Sequence, residues 1–142
     1  MAIPRRINLP HHEVFPAGAF LKGEVEPVLD FQVDKRSDGS RPQQTDKETG
    51  LLLWQATVLD ADEEASRKDT AIVVKFAAGV RPVPPAKKAG MPWTPVEFVG
   101  LSALPYVDTN SGRPRLAWSF RAESMAEPGA ASASSSSSKG AA

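Results

Sequence analysis

Cysteine is absent from the 142 residues, and with it go disulfides, thiolate metal sites and thiol nucleophiles. Histidine occurs only as the adjacent pair His11 and His12. Neighbours in an extended segment point to opposite sides and do not easily chelate one metal ion, so structural or surface roles are expected for both. Neither sign of charge is in surplus: seventeen Lys and Arg stand against seventeen Asp and Glu. No global field draws such a chain to nucleic acid or to a membrane, and any nucleic-acid site has to be a local patch. Long apolar runs are missing too, since none approaches the roughly 20 residues that span a bilayer. The opening MAIPRRINLPHHEVF carries two arginines, but proline interrupts it and no signal-peptide core follows. A soluble, cytoplasmic protein with no membrane partner is expected.

No segment holds a helical period over ten residues or more, and what remains reads as β. Five apolar segments are separated by turn chemistry. The first covers about Ala19 to Val33, with Pro27 suggesting an edge position or a break. Leu51 to Leu59 is the second, entered through the polar turn QQTDKETG. In the third, Thr70 to Ala77, alternation puts Thr70, Ile72, Val74 and Phe76 on a core face and Ala71, Val73 and Lys75 on the other. Val96 to Val107 is the fourth, with a bulge or sharp bend expected at Gly100. The fifth, Arg115 to Ala122, alternates Leu116, Trp118 and Phe120 with Arg115, Ala117, Ser119 and Arg121, giving one apolar and one basic face.

Two connections and a tail complete the plan. Asp60 to Asp69 is too short and too charged for a core helix and reads as a solvated loop. Gly79 to Pro95 is dense in proline, which favours extended backbone, and an ordered loop of that length is often functional. Beyond Met125 the chain is mostly Ser, Ala and Gly with almost nothing to bury, so residues 126–142 are expected to be disordered. Residues 1–125 are expected to form one mainly β domain, a helix-poor, five-stranded OB-like Greek-key barrel. A β-sandwich of fewer than seven strands is the alternative.

Catalytic patterns are missing. The acidic cluster Asp60, Asp62, Glu63, Glu64 and Asp69 has Ala65 where a calcium loop needs glycine, and the glycines are scattered singly, with no phosphate-cradling loop or nucleophile elbow. A non-enzymatic protein without cofactor or metal is expected. Binding fits better: single-stranded nucleic acid is held by aromatic faces and by cations along the phosphate path. The candidate cations are Lys75, Arg113, Arg115 and Arg121, together with Arg81, Lys87 and Lys88 on the proline-rich loop. Trp118, Phe98 and Phe120 read as core, Trp93 and Tyr106 as stacking candidates, and Trp54 as core or ligand-facing.

Several segments, in order, resemble a family of small actinomycete plasmid proteins, the replication, integration and excision activators of the Pra type. They are VFPAGAF (Val14 to Phe20), VEPVLDF (Val25 to Phe31), TGLLLW with the following VLDAD, PVPP (Pro82 to Pro85), PVEFVGLSALPYVD (Pro95 to Asp108) and RPRLAWSFRA (Arg113 to Ala122). The resemblance implies a regulatory role in which an integrated element is made to excise and replicate, and it implies no catalytic residues. The D-x-x-TG-x-x-x-W stretch from Asp46 to Trp54 is also similar to one in phage and plasmid single-stranded-DNA-binding OB proteins, which implies that activation runs through single-stranded DNA. Contact with the replication initiator or the transcription machinery through the Gly79 to Pro95 loop is the alternative, and an exposed edge near Pro27 leaves room for a homodimer. Duplex recognition is disfavoured by the absence of a helix-turn-helix pattern.

Overall fold

The computed structural model describes residues 5–32, 34–66, 70–87, 89–110 and 112–129. Within them lie β1 (Ile7–Asn8), α1 (His11–Val14), β2 (Ala19–Pro27), β3 (Leu53–Asp60), β4 (Ala71–Ala77), β5 (Thr94–Val99), β6 (Ser102–Asp108), β7 (Arg115–Ala122) and β8 (Ser124–Ala126). The chain is mainly β as its pattern predicts, but with eight strands among the described residues where the pattern predicts five. Two of the additions are subdivisions: the expected fourth strand is β5 plus β6, broken at Gly100, and the fifth continues through Glu123 into β8. The third, β1, is a two-residue pairing too short to leave a period in the sequence. No helix among the described residues is long and apolar enough to cross a membrane. Of the expected tail, residues 130–142 lie outside the described residues, as does Val33 at the end of the expected first strand.

The sheet order is β1-β6-β7-β4-β3-β2-β5-β8. Strands β2, β3 and β4 form an antiparallel meander, and β4 then pairs in parallel with β7. β5 and β6 follow each other directly in the chain yet belong to opposite flanks of that order. Passing through Gly100 they draw the flanks together, and the sheet curls into an open half-barrel. Gly100 has φ +65°, a left-handed conformation that L side chains rarely adopt. The register does not slip there: Val99 faces Ser124 on one side of the bend, and Ser102 faces Arg121 on the other, in step. Glu123 N–H donates to Val99 O at 2.9 Å inside the bend. The pair β5–β6 against β7–β8 is therefore one long hairpin, bent but unbroken.

Pro27 ends β2 opposite Trp54. Of the two expectations for this proline the break holds, since the strand stops there rather than running on to Val33, while the edge position does not, since β2 is an interior strand. β5 pairs only with Ala19 to Leu21, so that side of β2 is open at Pro27. A residue without an N–H is tolerated there.

The core lies inside the curl. β3 contributes Trp54, Ala56 and Val58, β4 Val74 and Phe76, β5 Val96 and Phe98, and the expected core face of β4 is correct. Phe15, just past α1, fills the same space with its ring centroid 5.9 Å from Phe98 and 6.5 Å from Phe120. His11 locks this plug in place by accepting the Phe98 N–H on Nδ1 at 3.1 Å. That bond requires an unprotonated Nδ1, and burial lowers the His11 pKa against the opposing pull of Glu97. His12 is exposed.

Two outcomes follow from these contacts. Gly100→Ala should lower stability by ~1–2 kcal/mol in chemical denaturation, from the left-handed backbone alone. An added Cβ would also stand 2.6 Å from Glu123 Cγ. The double variant with Glu123→Ala should therefore recover only part of the loss, and full recovery would show that φ is not the constraint. Because the folded pKa of His11 is depressed, its contribution is fully present above the ordinary value of 6.5 and is lost as pH falls below it. Denaturation curves between about pH 7 and pH 5 should show this acid slope, and His11→Phe should flatten it.

Candidate nucleic-acid interface

Each of β4 and β7 belongs to an antiparallel hairpin, β4 paired with β3 from Ala71 to Ala77 and β7 with β6 from Arg115 to Arg121. The two hairpins meet in parallel only where Val74 to Phe76 lie beside Phe120 to Ala122, at the edge of the core. Twist carries their other halves apart. The divergence opens a cleft of about 840 Å³ whose lining includes Ile72 and Val73 of β4, Tyr106 of β6, and Leu116, Trp118 and Phe120 of β7. Alternation puts Tyr106 and Trp118 on opposite faces of the β6–β7 hairpin, and both border this gap.

A second cleft, of about 710 Å³, shares Lys75, Leu104, Ser119 and Phe120 with the first, so the two form one groove. Its walls are Arg5 and Arg6 beside β1, the 44–48 segment of the β2–β3 connection, and Arg121. Along the whole groove six cations (Arg5, Arg6, Lys47, Lys75, Arg115 and Arg121) face three carboxylates (Asp46, Glu48 and Asp60). On a chain with no net charge, this is a local positive patch with an aromatic end.

The cations differ in how they are held. Arg121 Nη1 donates to Asp46 Oδ1 at 3.2 Å, while Asp46 Oδ2 accepts from the Thr49 hydroxyl at 2.8 Å and from the Thr49 N–H at 3.3 Å. Gly50, at φ +75°, closes this turn by donating its N–H to Asp46 O at 2.8 Å. The Thr49 hydroxyl first, and then Arg121, hold the Asp46 carboxyl below the usual range against the effect of burial. Arg6 Nη1 reaches Ser102 Oγ at 3.4 Å, because β1 pairs Asn8 with Ser102 and brings the preceding residues alongside. The pKa of Arg6 is lowered by burial and by the neighbouring Arg121. Arg115 is exposed and pairs with Asp108 at 3.3 Å. Lys75 enters no ion pair among the described residues.

Of the residues expected to bind nucleic acid, Lys75, Tyr106, Arg115 and Arg121 come together in the groove. Arg113 lies at the hairpin turn and does not line it. Trp54 requires a correction. It is only 9% exposed, its Nε1–H donates to Ala78 O at 3.0 Å, and the Arg81 guanidinium covers its ring at 5.6 Å, so it is core. Arg81, Lys87 and Trp93 sit on or beside the proline-rich loop and line neither cleft, so they do not extend the patch. Lys88 lies outside the described residues.

Trp118 is corrected in the other direction. Expected in the core, it is 42% exposed, because β7 pairs with β4 only at Phe120 to Ala122, beyond that position. Arg5, Arg6 and Lys47 were not foreseen. The Arg5–Arg6 doublet was the only signal for the first two, and Lys47 reaches the groove through the fold of the Asp46–Gly50 turn.

No family model, curated protein or solved structure matches the chain.

The two tryptophans should separate by experiment. Trp54→Ala should cost about 3–5 kcal/mol in chemical denaturation, the range for a large core aromatic. Trp118→Ala should stay within about 0.5 kcal/mol of the unaltered protein, as an exposed position does.

Proposed function

We propose that the protein binds single-stranded DNA in this groove and acts through it as an activator of the replication, integration and excision of a mobile element. The observation that carries the reading is the junction of an aromatic cleft with a cationic one, sharing Lys75, Leu104, Ser119 and Phe120. Bases and phosphates of one strand have different needs: flat apolar faces for the first, cations with exchangeable counterions for the second. Tyr106 and Trp118 offer the faces, and Arg5, Arg6, Lys47 and Lys75 the charge.

The connectivity supports an OB-like assignment. With β5–β6 counted as one bent strand, pairing runs from β2 to β3 to β4, in parallel to β7, and back through the bent strand to β2. A five-stranded Greek-key barrel closes in this order, here with β1, α1 and β8 as additions. The segments that resemble plasmid activators supply the biological context for the reading.

A second reading has its own support. The proline-rich loop exposes Val80, Val83, Met91 and Trp93, with Val83 82% exposed. Apolar side chains on extended backbone suit contact with a protein such as the replication initiator.

An oligonucleotide titration followed by tryptophan fluorescence at two salt concentrations tests the first reading. Binding should weaken with salt, log affinity falling by about 0.7 per log unit of salt for each phosphate neutralised. Trp118→Ala and Tyr106→Ala should each lose about 1–3 kcal/mol of affinity. No binding at low salt would remove the DNA reading in favour of the loop.

A further inference from the structure

The basic end of the groove sets five cations, Arg5, Arg6, Lys47, Lys75 and Arg121, against two carboxylates, Asp46 and Glu48. Arg121 gives one nitrogen, Nη1, to Asp46, while its Nε is buried without a hydrogen bond. That is a single contact, where a guanidinium can offer a carboxylate or a phosphate a two-pronged fork. Arg6 stands near enough for the two guanidiniums to repel each other. Lys75 is the direct register partner of Arg121 across the β4–β7 ladder and lines the same cleft. Three cations therefore converge from β4, β7 and the segment before β1, with the carboxylate of Asp46 among them.

Asp46 does not come from the sheet. It comes from the Asp46–Gly50 turn of the β2–β3 connection, whose Lys47, Glu48 and Thr49 are exposed. Its side chain would remain bonded to Thr49 through Oδ2 without Arg121, so releasing Arg121 does not require the turn to unfold.

We infer that Arg6, Lys75 and Arg121 form an anion site for a phosphate group, and that Asp46 is its resident competitor, holding Arg121 until a phosphate displaces it. The phosphate comes from a nucleic-acid backbone or is free in solution, and both offer the same tetrahedral oxygens to the same cations. The inference rests on the DNA reading only in naming a strand's phosphodiester as the natural ligand. Its physical basis is exchange: phosphate replaces carboxylate on Arg121 and in addition engages Lys75 and Arg6, with which Asp46 forms no ion pair among the described residues.

The first measurement needs no variant. Inorganic phosphate is titrated into the full chain while the Arg6 and Arg121 Nε–H and the Thr49 amide are followed by nuclear magnetic resonance. All three should shift together, the Thr49 amide because the carboxylate that accepts from it through Oδ2 loses the Arg121 contact on Oδ1. Absence of a shift at Arg121 would overturn the proposal. The second measurement compares a short oligothymidylate on the unaltered protein and on Asp46→Asn, which keeps the size and an acceptor for Thr49 but removes the charge. Asp46→Asn should bind about fivefold more tightly, with a salt slope steeper by about 0.7, one further phosphate. Oligonucleotide binding with affinity and slope unchanged by Asp46→Asn would overturn the competitor and leave the DNA reading standing. Phosphate shifts without oligonucleotide binding would uphold the anion site for free phosphate and remove the DNA reading.

Discussion

The bend at Gly100 is the constraint on which the other features depend. A straight hairpin from Thr94 to Ala126 would extend one edge of the sheet and leave Ala19 to Leu21 of β2 paired with β3 alone. Because Gly100 adopts φ +65° without loss of register, the same hairpin serves both flanks. Its β5–β8 half closes on β2 and sends Val96, Phe98 and Met125 into the core. Its β6–β7 half closes on β4 and sets Arg121 beside Lys75. Core and groove are thus two consequences of one backbone conformation.

The same hairpin leaves its outer half uncovered. Leu116 is 66% exposed and Trp118 nearly half so, although a soluble domain gains by burying such side chains. The parallel ladder joins β4 and β7 only at Val74 to Phe76 and Phe120 to Ala122, and before Phe120 the twist of each hairpin carries the two strands apart. The apolar face is therefore held open by the topology. An exposed apolar face next to a concentration of cations is the arrangement a strand of bases and phosphates can satisfy, whereas either half alone would be ordinary surface.

Local features of the fold were legible in the sequence, and relations between distant elements were not. β7 occupies Arg115 to Ala122, as the alternation of that segment predicts, and the glycine in the fourth segment marks the bend. Alternation also identifies which residues share a face. It does not say whether that face meets another element, and this is why Trp54 and Trp118, both on apolar faces, end in opposite environments. The Lys75–Arg121 neighbourhood depends on a parallel pairing between strands far apart in the chain, and Arg6 on a two-residue strand. Neither has a local period to reveal it. The basic loop misleads for the complementary reason: Arg81, Lys87 and Trp93 are close in sequence, but the loop holds them away from both clefts.

The segment from Asp46 to Trp54 shows how one short motif serves both sides of the sheet. Thr49 and Gly50 fix the turn, the first by bonding the Asp46 carboxylate and the second by taking the left-handed conformation that closes it. The strand that follows buries Leu53 and Trp54 and anchors the indole on Ala78 O. The turn is thereby tied to the core at one end while its first residue holds Arg121 at the groove. A rigid tie at Trp54 keeps the Asp46 carboxylate positioned near Arg121 even when the contact between them is broken. Its local concentration there stays high, so an incoming anion always competes with it, and the strength of that competition is set by the turn as much as by the cations.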